Sequence, residues 1–393
     1  MLKRRFSLLI IATFLCILSL HAGSPWLKRP LRFAPADSVL VWGYDGRDYR
    51  TKALKSSPDA AVYPILLTQK EWKERKTIYK EWTEKEKTIG LDGCLRSDDM
   101  TNPMIGVASL MTRAVQLFRM QGDVRYADYI ERALFNGVMY SLNDTLPVKG
   151  TIDQQIAANL LFTMPGLIYA TSGEGDVYVN LYTNSTASLT TGDTHFSLDQ
   201  ITDMPLNGRI KLRINNIKPA THLRLHLRQP EWMKEGKDAK YSYAKADSIT
   251  PTVFVNGHEV EHLQTDGKGY WVIDREWNPL DEVYLDLPLQ AQYVVSGKID
   301  KHFQKGQTLR DHVYLQFGPL AYQVEAKGFF THTDWGIMMG DELSPSDFPQ
   351  LRLFLSQGDG KGEDALRAAS RGYDIVPCAD GVNNVTSGKT ETK

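Results

Sequence analysis

The chain has 393 residues, of which 42% are hydrophobic, 24% charged and 10% aromatic, a balance that suits a folded protein with material for more than one core and excludes disorder, collagen and coiled coil. Lys and Arg number 46 against 47 Asp and Glu, for a formal charge of −1. No net positive field exists to recruit nucleic acid, so none is expected as a partner.

Lys3, Arg4 and Arg5 precede an apolar run from Phe6 to Leu20 that closes on Ala22 and Gly23. This order is that of a secretory signal peptide cut after Ala22. The run is about 15 residues where a bilayer crossing needs roughly 20, so cleavage is expected rather than a stable membrane span. Residues 1–22 are therefore read as a signal peptide and the remainder as secreted or periplasmic. Cys16 leaves with the signal, and Cys94 and Cys378 remain. A disulfide between them is permitted in that compartment but not demanded by a chain of this length.

Residues 23–66 carry Pro25, Pro30, Pro35, Pro58 and Pro64 around one strand-like run, Val39–Trp42, and are expected to be otherwise irregular. From Thr68 the pattern turns helical. Thr68 and Glu71 form a capping box, and Trp72, Tyr79, Trp82 and Ile89 recur at helical spacing on a Lys- and Glu-rich face. A second helix is predicted from Pro103, with Asn102 as cap and a stripe of Met104, Val107, Met111, Val115 and Phe118. The Gln121-Gly122-Asp123 turn ends it, and a third helix follows over Val124–Leu142, making an αα-hairpin. A further helix is predicted over Gln154–Ala170, broken near Pro165-Gly166.

After Gly175 the period changes to 2. Val177, Val179 and Leu181, then Ile210, Leu212 and Ile214, then Leu223, Leu225 and Leu227 alternate with polar residues, as in antiparallel sheets with one wet face. Val253-Phe254-Val255-Asn256-Gly257 signals a hairpin, and strands are expected at Tyr270–Ile273, Val283–Leu287 and Val313–Phe317. Beyond Ser356 no apolar period remains, so residues 357–393 are expected to be a flexible tail.

Two motifs carry chemistry on paper. His258-Glu259-Val260-Glu261-His262 satisfies HExxH, but it follows an Asn-Gly turn. In a strand its two histidines lie about 13 Å apart, whereas a zinc–nitrogen bond is about 2 Å. His222 and His226 fail by the same distance. Asp92, Asp98 and Asp99 cluster just before the Pro103 helix. Paired carboxylates can serve as acid and base in glycosidic cleavage, while Asp before a helix is also what turns and caps prefer. No GxSxG, phosphate loop or dinucleotide glycine pattern stands in a suitable context.

Gln121-Gly122-Asp123-Val124-Arg125-Tyr126-Ala127-Asp128, followed by Ile130-Glu131-Arg132-Ala133-Leu134-Phe135-Asn136-Gly137, resembles the TGDxRYADxxERALYNGV segment of glycoside hydrolase family 127, the β-L-arabinofuranosidase-like proteins. Further segments are similar to that family in the same order. Asp176–Tyr182 resembles its DGIYVNLY, Leu206–Leu212 its WDGRVRL, Leu225–Trp232 its LRLRIPGW and Val313–Tyr322 its VALQRGPLVY.

The resemblance spans about residues 104 to 325. It implies an α+β multidomain fold: partial (α/α)6-type helical hairpins over 67–172, a β-sandwich over 173–290 and a further β domain over 291–356. It also implies zinc held by a glutamate and cysteines, with one thiolate as nucleophile. Counted from the matched segments, those positions fall on Pro103, Met104 and Ile105 and on Ile152, Asp153, Gln154, Gln155 and Ile156. Only Asp153 among them is acidic, so neither metal nor cofactor is expected. Fewer than about eighty residues separate the signal from the matched hairpin, which reads as a truncated, degenerate relative.

The reading is of an exported carbohydrate-active protein whose ligand is a glycan or oligosaccharide. If it hydrolyses, Asp92, Asp98, Asp99 and Asp153 are the candidate carboxylates. The alternative is a non-catalytic glycan-binding or partner-binding protein, with a protein partner or a second copy of the chain.

Overall fold

The structure, a computed structural model, describes residues 24–42, 49–86, 89, 103–142, 152–205, 207–233, 236–237, 241–244, 250–289, 291–296, 313–326 and 373–377. Within them the chain is a mixed α+β protein, mostly helical as far as residue 163 and built of strands thereafter. Among the described residues no helix is long and apolar enough to cross a membrane.

The longer α-helices among the described residues are α1 (Tyr49–Ser56), α2 (Gln69–Lys73), α3 (Arg75–Glu86), α4 (Pro103–Gln121), α5 (Val124–Arg132) and α6 (Ile152–Thr163). The Thr68 capping box forms: its hydroxyl accepts from the Glu71 N–H at 3.2 Å, and Glu71 Oε2 accepts from the Thr68 N–H at 2.7 Å. The single helix expected from there is divided at Glu74 into α2 and α3. Of its aromatic residues, Trp82 is buried edge-on between Tyr126 and Tyr129 of α5.

The core helix is α4, which packs against α3, α5 and α6. Its predicted stripe is buried throughout, along with Leu110, Ala114 and Leu117, because neighbours cover more than one face. Gly122 adopts φ +68 in the sharp turn out of α4, a conformation costly to a residue with a Cβ. Asp123 then caps α5, accepting from the Arg125 N–H at 3.1 Å. The third predicted helix departs from regularity at Ala133–Val138, a π-helical stretch leading into Met139–Ser141. The fourth starts earlier and stops sooner than expected. It is helical over Ile152–Thr163 and 3-10 over Met164–Leu167, and the Pro165-Gly166 break then releases Tyr169–Thr171 as strand β3.

Three sheets follow. The first, one of two with six strands, runs β1 (Arg32–Phe33), β3, β4 (Asp176–Val179), β8 (Thr221–Arg228), β14 (Tyr270–Trp277) and β13 (Gln264–Thr265). The β4–β8 pair is parallel. The seven-stranded sheet runs β12 (His258–Glu259), β11 (Thr252–Val255), β15 (Glu282–Asp286), β7 (Arg209–Asn215), β6 (Thr194–Thr202), β5 (Ser185–Thr191) and β2 (Val39–Val41). Its alternation is the predicted one: Ile210, Leu285 and Val253 are buried in one register row. The Tyr169 hydroxyl on β3 meets the Ser185 hydroxyl on β5 at 2.8 Å, joining the two sheets through a buried contact. The third sheet runs β19 (Tyr373–Pro377), β18 (Leu320–Ala326), β17 (Val313–Phe317), β16 (Ala291–Ser296), β10 (Tyr241–Ala244) and β9 (Gly236–Lys237).

Two expectations are corrected here. Residues 23–66 are not irregular outside Val39–Val41, since β1 closes one edge of the first sheet and α1 packs on α6. Tyr373–Pro377, in the stretch expected to be a flexible tail, pairs antiparallel with β18 from Ala326↔Tyr373 to Tyr322↔Pro377. Both segments lack an apolar period because an edge strand needs only backbone partners on one side.

Candidate functional site

The positions that the family resemblance assigns to metal ligands lie at the N-termini of α4 and α6. The fold brings these two ends together: the Met104 N–H donates to Asp153 Oδ1 at 3.1 Å. A helix start leaves N–H groups without an intrahelical partner, and Asp153 supplies one for α4 from 49 residues further along the chain. Asn102, the cap expected from the sequence, lies outside the described residues. Met104 is buried, whereas Ile105 and Ile152 are 52% and 59% exposed.

This arrangement answers the sequence-derived candidates unevenly. Asp153 is positioned, with one carboxylate oxygen committed to a backbone N–H. Asp92, Asp98 and Asp99 lie outside the described residues, as do Cys94 and Cys378. Among the described residues at the α4 and α6 ends, the side chains of Pro103, Met104, Ile105 and Ile152 include neither thiolate nor imidazole, and Asp153 is the one carboxylate. That donor set does not fit a zinc ion, which takes four N, S or O ligands. Among the described residues no group of three or more His, Cys, Asp or Glu could hold a metal. His258 and Glu259 stand in β12, paired with Val255 and Phe254, so the HExxH string is not helical.

The polar residues of the two most distinctive segments meet elsewhere. Arg228, at the end of β8, is 0% exposed and donates to Asp128 Oδ1 at 2.8 Å and to Glu131. Trp232 Nε1 donates to the other Glu131 oxygen at 3.1 Å, the Glu231 N–H donates to Asp128 Oδ1 at 3.1 Å, and Arg132 pairs with Glu231. Burial opposes the Arg228 charge, but Glu131 and Asp128 outweigh it and hold the guanidinium above its ordinary pKa. Asn136 Nδ2 reaches the Pro319 carbonyl at 3.0 Å, on the β17–β18 turn. A polar cavity of about 10 Å³, roughly the room of one water, lies between these parts, lined by Asp128, Glu131, Arg132, Glu231, Trp232, Gln316 and Pro319.

The RYADxxER and LRxPxW-type residues thus form an ion-pair cluster that ties α5 to β8 and to the third sheet. Both segments are distinctive in the sequence, but their pairing is not. The available signal was an acid pair, Asp128 and Glu131, spaced three apart on a helix whose other side is apolar.

Residues 176–289 match a family model described as the middle domain of GH127 β-L-arabinofuranosidases. No curated protein matches the chain. Among solved structures, a GH127 β-arabinofuranosidase is similar at 23% identity and a TM-score of 0.54, over 71% of this chain and 46% of that one. A GH127 β-L-arabinofuranosidase from Geobacillus stearothermophilus T6 is similar at 19% identity and a TM-score of 0.50, over 70% of this chain and 45% of that one. At such identities the likeness is one of fold. The chain spans a little under half the length of these structures.

Proposed function

We propose that this GH127-like chain is an exported glycan-recognising protein that does not use the zinc-thiolate hydrolysis implied by its resemblance. The observation that carries the reading is the Met104–Asp153 bond. It joins the two segments in which ligands and nucleophile would fall, and neither segment contains a thiol. Asp153, with an oxygen engaged on the α4 backbone, acts as a cap in this reading rather than as an acid or base. The helices represent part of an (α/α)6-type unit, the first two sheets a β-sandwich, and the third sheet a further β domain. Export rests on the basic and apolar N-terminal run.

Purified protein would be incubated with aryl β-L-arabinofuranosides and arabinose-containing oligosaccharides, with and without zinc, while binding is followed by calorimetry. Saturable binding without turnover is expected. Hydrolysis abolished by chelation would overturn the metal-free reading. Zinc-independent hydrolysis lost in the triple variant Asp92→Asn, Asp98→Asn, Asp99→Asn would replace it with a carboxylate enzyme. Absence of both binding and turnover across the sugars would remove the glycan.

A further inference from the structure

His226 on β8 is 6% exposed and has a carboxylate at each ring nitrogen: Asp176 Oδ1 of β4 at 3.1 Å from Nε2, and Asp266 Oδ2 of the β13–β14 turn at 3.3 Å from Nδ1. Tyr178 of β4 stacks on the imidazole at 4.2 Å, and Tyr270 of β14 meets it edge-on at 6.3 Å. Phe118 of α4 closes the cluster against Tyr178 at 5.9 Å. The remaining charges are Arg224 of β8, whose Nε donates to Asp176 at 2.5 Å, and Lys268 of the turn; Asp274 acts on Arg224, and Asp123 of the α4–α5 corner acts on Lys268.

Only an imidazolium has an N–H for each carboxylate. A neutral ring must present a lone pair to one of them. The two carboxylates are unequally held without it. Asp176 keeps Arg224 and the Ser172 hydroxyl, at 2.6 Å, whereas Asp266 keeps the Lys268 and Tyr270 backbone N–H groups at 2.8 and 3.1 Å. Both other donors to Asp266 belong to its own turn, so His226 is the tie between that carboxylate and β8, and the tie opens where the neutral ring turns its lone pair toward Asp266. The Asp266 side carries the turn on which the helices rest: the Val124 N–H at the start of α5 donates to the Lys268 carbonyl at 2.9 Å, and Lys268 Nζ donates to the Gln121 carbonyl.

We propose that His226 is a proton-operated latch that, when charged, fastens the 266–269 turn to β4 and, when neutral, loosens its hold on the α4–α5 corner. Burial disfavours the imidazolium, yet the hydrogen bonds to Asp176 and Asp266 outweigh it and raise the pKa above the ordinary 6.5. Burial raises the pKa values of Asp176 and Asp266 in turn, but hydrogen bonds from His226 and their other donors lower both below the ordinary carboxylate range. The fastening is therefore complete below about pH 6.5 and is lost as pH rises through the higher folded value.

Hydrogen exchange at the Val124 amide in the full chain, read by mass spectrometry and corrected for the intrinsic pH dependence of exchange, tests this. Protection is expected to fall by more than twofold from pH 5.5 to 8.5. His226→Gln should be unprotected and flat with pH. If that variant does not fold, Asp266→Asn serves instead, because its amide matches a neutral ring and should also flatten the profile. Protection constant within twofold across the range in the unaltered protein, or a pH dependence that survives in the folded variants, would overturn the latch.

Discussion

Asp153 is a charge placed at a helix start by a second helix, and its removal separates capping from catalysis. Asp153→Ala should cost about 1 kcal/mol, the usual value of a lost cap, and Asp153→Asn appreciably less. Thermal melts check this, and neither change should alter sugar binding. Arg228 is more consequential. With the Asp128 and Glu131 charges left buried without the guanidinium, Arg228→Ala should cost on the order of 3–5 kcal/mol, whereas replacing the whole cluster with apolar side chains of similar volume should cost much less. Chemical denaturation of both variants measures the difference. Asp153 was visible in the sequence as an acid at an aligned position, but its partner was not. A bond between residues 104 and 153 is set by how two helices cross, and neither period nor composition encodes that crossing.

At the level of elements, the docking of the β13–β14 turn on α5 rests on Gly269. Its φ is +94, and a Cβ there would fall 2.2 Å from Val124 Cγ1. Gly267, at φ +70, has nothing within 4 Å of such an atom. Gly267→Ala should therefore cost about 1–2 kcal/mol from backbone strain alone. Gly269→Ala should add an overpacking cost of about 1–3 kcal/mol, seen as a lower melting temperature and faster exchange at Val124. The stripe of α4 and the alternation of β7 and β8 were legible because each buries a face of fixed period. The 3-10 exit after Thr163 was legible in part, through Pro165-Gly166. Strands β1 and β19 were not, since pairing by backbone alone leaves no mark on side-chain choice.

For the whole molecule, stability is bounded from both sides of neutral pH. The depressed carboxylates Asp176 and Asp266, with Glu282 held to about 2 by Lys211 and, against slight burial, by Arg213 and Tyr284, contribute above their unfolded pKa values. That contribution disappears as pH falls through the folded ones. Glu282 is partly exposed, so its share is screened and should shrink at high salt. His226 acts in the opposite sense, being favourable in mild acid and lost in mild alkali. Unfolding free energy measured against pH should thus peak in mildly acidic solution and decline toward pH 8.5, and His226→Gln should flatten the alkaline limb.

Strand β1 pairs Arg32 with Thr171, and β2 pairs Val39 with Ala187. Each of these two sheets is therefore finished at one border by residues that leave the ribosome long before their neighbours exist. At about 5–20 residues per second the wait is on the order of ten seconds. Throughout it Val39 and Val41, fully covered in the finished protein, are open to any passing strand. Assembly of this chain thus closes with its oldest residues, and whatever holds them apart in the meantime governs how much of the product survives.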